Sequence, residues 1–297
     1  MKMKKMAYLS VALLAFSLGT DAASVPTIAA EQINLEGYNL RCDSFHSSDT
    51  NRSTGGHYDP AKAGDGCYVG LNNGIFNSSH AGNARIWGQL DTQAPFTLEI
   101  GPAGSIGSAA WQLAGTPGIE PGHHTTNYNL SWPDVPAPFP GFVPMGGTVD
   151  GITYTYILNA GDYELNQLSL SGNQKVLVTG TARLHVRGEV KLSGNASIRI
   201  EPAARLQLYV GGAAANLSGG GIINLAGSQG FIYLGLAGNT SLTFKVSAVS
   251  GLIYAPRTDC TITSPGHAIS EMEGNIIVKS LSLAADLNLH FDEALNP

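Results

Sequence analysis

Leu170-Ser171-Gly172-Asn173 returns letter for letter as Leu192-Ser193-Gly194-Asn195, twenty-two residues later. A looser echo follows at Leu217-Ser218-Gly219-Gly220, and an apolar alternation restarts at Leu242. Self-similarity at roughly 20–25 residues belongs to chains whose units stack, because one unit is too small to bury its own apolar face. Between the echoes the residues alternate. Leu184 and Val186 oppose Arg183, His185 and Arg187; Ile198 and Ile200 oppose Ser197, Arg199 and Glu201; Leu206, Leu208 and Val210 oppose Arg205, Gln207 and Tyr209. A period of two is that of a half-buried strand, and glycine, asparagine and proline stand at the breaks where the chain turns. The expectation is an all-β chain: a right-handed parallel β-helix, a solenoid of roughly 20–25 residues per coil, over residues 82–107 and 151–291. Its handedness follows the right-handed preference of parallel crossovers.

Composition agrees with a turn-rich β protein. Of 297 residues 37 are glycine and only 13 % are charged, while 43 % are hydrophobic, too many for a disordered chain. A net charge of −6 argues against a nucleic-acid partner, which calls for a basic stripe. Residues 1–23 read as a signal peptide: Lys2, Lys4 and Lys5, an apolar run from Met6 to Leu18, then small residues at Thr20, Ala22 and Ala23. That run is short for a membrane span and no later one is longer, so no transmembrane segment is expected after cleavage.

Residues 24–297 read as a single domain. Residues 24–81 form a capping, loop-rich segment in which Ile33, Leu35, Tyr38 and Leu40 make an opening strand over the solenoid's end. Residues 111–150 carry Pro117, Pro121, Pro133, Pro136, Pro138, Pro140 and Pro144, and read as a long surface insertion, because proline removes ladder donors. Export places the chain where disulfides persist, and Cys42 and Cys67 lie close together, so a Cys42–Cys67 bridge is expected. Cys260 stands apart within the ladder, as a small core residue.

Gly82-Asn83-Ala84-Arg85-Ile86-Trp87-Gly88, Asp43-Ser44-Phe45, Gly251 to Pro256, and His290-Phe291-Asp292-Glu293-Ala294-Leu295 resemble a bacterial domain family of unknown function. In that family, exported or pilus-associated proteins carry a small right-handed β-helix. The resemblance implies that fold and an envelope setting, and it brings no catalytic residues.

Parallel β-helices of the pectin-lyase-like kind often host polysaccharide lyases and hydrolases, which need carboxylates converging on one bond. Here Glu164, Glu189, Glu201, Asp259, Glu271, Glu273 and Asp286 are scattered. Asp43, Asp49, Asp59, Asp65, His46 and His57 lack calcium-loop or zinc spacing and read as a solvated loop. His123 and His124 read as exposed loop residues without a third ligand, and Trp87, Trp111, Trp132 and Tyr128 as packing of the insertion. No catalytic, cofactor or metal residue is therefore expected. The Thr-x-Thr pairs that begin at Thr153 and Thr261 lie far apart and do not form the repeated ranks of an ice-binding face. Arg183, His185, Arg187, Ser197, Arg199, Glu201, Arg205, Gln207 and Tyr209 give a mixed, slightly basic outer face. The expected function is that of a secreted, periplasmic or cell-surface protein of the envelope or extracellular matrix. It presents a surface to a polymer or protein, an acidic polysaccharide or an envelope protein being the partner. A carbohydrate-active enzyme, a polysaccharide lyase or glycoside hydrolase, is the alternative.

Overall fold

The structure is a computed structural model that describes residues 26–76, 82–93, 95, 98–136, 138–245 and 248–295. The signal peptide expected over residues 1–23 lies outside the described residues. In chain order come β1 (Ile28–Asn34), β2 (Leu40–Phe45), β3 (Cys67–Phe76), β4 (Ala84–Thr92), β5 (Ser105–Gly107), α1 (Ala109–Leu113), β6 (Gly118–Ile119) and β7 (His124–Thr125). After them come β8 (Met145–Val149), β9 (Ile152–Leu158), β10 (Gly161–Leu165), β11 (Leu168–Leu170), β12 (Lys175–Val178), β13 (Thr181–Val186), β14 (Val190–Leu192) and β15 (Ser197–Ile200). The last are β16 (Arg205–Val210), β17 (Ala214–Leu217), β18 (Gly221–Asn224), β19 (Phe231–Gly235), β20 (Ser241–Lys245), β21 (Ala248–Thr263), β22 (Ser270–Leu283) and β23 (Leu287–Asp292).

The recurrence in the sequence is a pairing register. Leu168 and Leu170 of β11 lie against Val190 and Leu192 of β14, which lie against Ala215 and Leu217 of β17. The Asn195 side chain donates to Asn173 Oδ1 at 3.2 Å. β10, β13, β16 and β19 run parallel beside them, and β8, β9, β12, β15 and β18 form a second sheet whose first edge is closed by antiparallel β8.

A right-handed β-helix is nevertheless not what forms. β1, β22, β23, β2, β4 and β3 pair in that order and return to β1, closing a barrel of six parallel strands; the other strands are additions to it, not coils of a pectin-lyase-like solenoid. Closure depends on two strands that divide their pairing. β22 pairs through Ser270–Glu273 with β23 and through Ile276–Ser282 with β1. β4 pairs through Ala84–Ile86 with β2 and through Gly88–Thr92 with β3. At each division stands a glycine with positive φ, Gly274 at 138° and Gly88 at 143°, where an added Cβ would collide with the Gly251 and Cys67 carbonyls. The first strands therefore do not cap an end: β1 lies between β22 and β3, and β2 between β23 and β4. Likewise β4, expected in an early coil, is a barrel wall. A local repeat carries no information about pairing between Asp43 and His290, which sit opposite one another although far apart in sequence.

The alternation does sort inside from outside. Leu206, Leu208 and Val210 are fully buried, as are Ile198 and Ile200, in one apolar core that also holds Ile28, Ile33, Leu40, Ile86 and Leu289. The proline-rich stretch has elements of its own, α1, β6, β7 and β8. α1 begins at Ser108, whose Oγ accepts from Trp111 N at 3.4 Å.

Between β7 and β8 the chain crosses the outside of the sheet as a strap. Asn72 and Leu130 exchange two hydrogen bonds. Tyr254 Oη donates to the Pro133 carbonyl at 2.6 Å, Arg257 binds both oxygens of Asp134, and Phe139 meets Tyr209 edge-on at 5.5 Å under the Arg183 guanidinium. The strap covers a second apolar cluster of Ala29, Tyr209, Leu234, Tyr254 and Ile277, with Val135 buried among them. Outward positions this apolar need a cover, and the strap supplies it.

Candidate functional site

Where the first and last described parts of the chain meet, β2, β23 and β22 bring three ionisable side chains together. His290 is 4 % exposed. Its Nδ1 lies 2.6 Å from Asp43 Oδ1 and its Nε2 2.8 Å from Glu271 Oε2. Tyr58 stacks on the imidazole with ring centroids 3.5 Å apart and donates through Oη to Asp43 Oδ2 at 2.8 Å. Arg41 pairs with the same carboxylate at 2.9 Å. Burial alone would lower the His290 pKa, but the hydrogen bonds and charges of Asp43, then of Glu271, outweigh it and the net direction is upward. Burial, then the charge of Asp43 and the hydrogen bond to it, push the Tyr58 phenol well above its ordinary value, so it stays a donor. With both nitrogens facing carboxylates, this histidine has no lone pair free to take a proton from a substrate.

The nine outward residues expected as one face divide between two sheets. Ser197, Arg199 and Glu201 belong to β15 and the turn after it, and Ser197 is buried. The arginines are paired, Arg183 with Asp162, Arg187 with Glu164, and Arg199 with Glu201 at 2.6 Å, and His185 Nδ1 lies 3.3 Å from Glu164. Arg205 donates to Gln229, and Tyr209 lies under the strap. No unpaired basic row remains there.

The uncovered face lies alongside. Ser169, Lys191, Asn216, Thr243, Thr261, Ser282 and Asn34 occupy matching positions on seven adjacent parallel strands, β11, β14, β17, β20, β21, β22 and β1. All seven are exposed or half-exposed. Two buried apolar rows flank them, one from Leu168 to Ile33 and one from Leu170 to Leu283, so the polar row is held flat by core on both sides. At about 4.8 Å per strand the row spans about 29 Å. Ser241, Asp259, Ser280 and Gln32 extend it, with Asp259 paired to Lys279 at 3.3 Å. Sequence reasoning missed this row; aligning the 20–25-residue units would have placed Ser169 over Lys191 and Lys191 over Asn216.

Other residues singled out in the sequence go to separate places. The sulfurs of Cys42 and Cys67 are bonded to one another, with Cα atoms 5.9 Å apart, beside the bend of β4. Cys260 is a free, buried thiol whose pKa burial pushes up to about 12. His123 and His124 are half-buried rather than exposed: His123 Nδ1 meets the Gly88 carbonyl at 2.8 Å, and His124 Nε2 meets Thr92 Oγ1 at 3.1 Å. Asp49 and Asp59 accept from the backbone of Asn51 and Ala61, and Asp65 from Ala109. Trp132 packs edge-on against Tyr254, and Arg41 lies over Trp87. Among the described residues, no helix is long and apolar enough to cross a membrane.

These features define an all-β protein with a closed parallel barrel, a strapped face and an open polar face. The chain belongs to the family described as a domain of unknown function (DUF7305), which matches residues 144–297. That range includes β22 and β23 but none of β1 to β4, so the barrel is shared between family residues and the part before them. No curated protein and no solved structure matches.

Proposed function

We propose that this is an exported, non-catalytic protein of a bacterial envelope or extracellular matrix that presents its open polar face to a polymer. The observation that carries the reading is the flat row from Ser169 to Asn34. Apart from Lys191, the row consists of short hydroxyl and amide side chains on rigid strands, which lose little conformational entropy on contact and offer donors and acceptors at a regular spacing. The leader-like start at Lys2 to Leu18 supports export, and the resemblance noted above supports an envelope setting. The charge pairing of the arginines moves the preferred partner from an acidic polysaccharide to an uncharged, extended one, since paired charges exert little net attraction.

The test is a glycan array on the mature protein, run beside depolymerisation assays on the polymers it binds. Binding without product is expected, at least tenfold weaker in Thr243→Tyr and Thr261→Tyr, whose bulk breaks the flat row. Product released from a bound polymer and abolished by a carboxylate substitution would establish the enzyme instead.

A further inference from the structure

We infer that His290 is a proton-held latch for the segment 46–66, which roofs the junction of β2, β23 and β22. The geometry carries this. A neutral imidazole has one N–H and one lone pair, so it satisfies one of two flanking carboxylates and turns a lone pair toward the other. Only the imidazolium donates to Asp43 and Glu271 together.

The groups facing it from every side are few. β2 contributes Asp43 and Arg41; β22 contributes Glu271 and Glu273; its own strand contributes Asn288, which donates to Glu271 at 2.8 Å, and Asp292. The roof contributes Tyr58 and His57, both also bound to Glu273. The roof is held at this junction by the Tyr58 stack and hydroxyl, by Ser47 N donating to Asp292, and by Arg52 on Glu293. Loss of one proton leaves Asp43 and Glu271 competing for one N–H and removes the charge under the Tyr58 ring.

The direction follows from linkage. A histidine whose pKa is higher folded than unfolded contributes stability that is complete below its ordinary value near 6.5 and is lost as pH rises through the folded value. Acid therefore fastens the latch and alkali releases it. Segment 46–66 also supplies His46, Arg52, Gly64, Asp65 and Gly66 to a cleft of about 750 Å³. Its release takes that cleft apart.

The experiment follows the imidazole nitrogens by NMR in the disulfide-bonded protein. Amide exchange of residues 46–66 is measured from pH 5 to pH 10 as a ratio to barrel amides, which cancels base catalysis. Two N–H signals on His290 are expected at pH 5, with at least a tenfold rise in the ratio as they disappear on raising the pH. Glu271→Gln, at a half-exposed position, is expected to move both events to lower pH together. A His290 that titrates below the ordinary histidine value would overturn the proposal, and so would a flat ratio through its titration or a Glu271→Gln roof unchanged in its pH dependence.

Discussion

At the level of single residues the protein turns on which side of a strand a side chain occupies. Leu208 is fully buried in β16 while Gln207 beside it faces outward. A carboxylate at 208 has no partner and costs several kcal/mol, so Leu208→Asp is expected to abolish folding while Gln207→Ala shifts stability by about 0.5 kcal/mol or less. Urea titration followed by circular dichroism distinguishes them, and equal tolerance at both positions would refute the inward assignment. Cys42 and Cys67 provide a second expectation. Closing a chain segment of this length removes about 3 kcal/mol of denatured-state entropy. Reduction, or Cys42→Ser with Cys67→Ser, is expected to lower the denaturation midpoint by a corresponding amount. Peptide mapping without reduction should recover the two cysteines in one linked fragment.

Among the elements, the strap departs furthest from what its composition suggests. A stretch this rich in proline reads as an excursion, yet it covers Tyr209, Leu234, Tyr254 and Ile277 and adds Val135 to their cluster. Its hold is apolar rather than ionic. The Arg257–Asp134 pair is exposed on both sides, so Asp134→Ala is expected to leave the melting temperature nearly unchanged. Phe139→Ala removes an aromatic contact and the seat of the Arg183 guanidinium, and is expected to cost about 1–2 kcal/mol. Limited proteolysis reads the difference: cleavage between residues 127 and 143 should accelerate in Phe139→Ala and not in Asp134→Ala. The reverse order would show that the ion pair holds the strap. Composition announced a surface path here, but the residues beneath the strap come from five strands spread between Ala29 and Ile277, which no local window contains.

For the whole molecule, binding through a row that carries few charges, Lys191 within it and the Asp259–Lys279 pair at its side, should depend little on salt. A less than threefold loss of polymer affinity between low and high ionic strength is expected, and a steep loss would restore an acidic polymer as the partner. The division between sequence and tertiary structure follows from the range of the interactions concerned. Alternation and turn residues act within a few positions, so strands, their buried sides and the twenty-two-residue register of Leu170 and Leu192 were all legible in the sequence. Proximity and the expectation of export pointed to Cys42 and Cys67. Barrel closure was not legible, because it depends on where β22 and β4 divide their pairing and on β1 and β2 entering beside strands at the far end of the chain. The latch at His290 was hidden for the same reason. Asp43, Tyr58, Glu271 and His290 are unremarkable one by one, and only the meeting of β2 with β23 places two carboxylates on one imidazole.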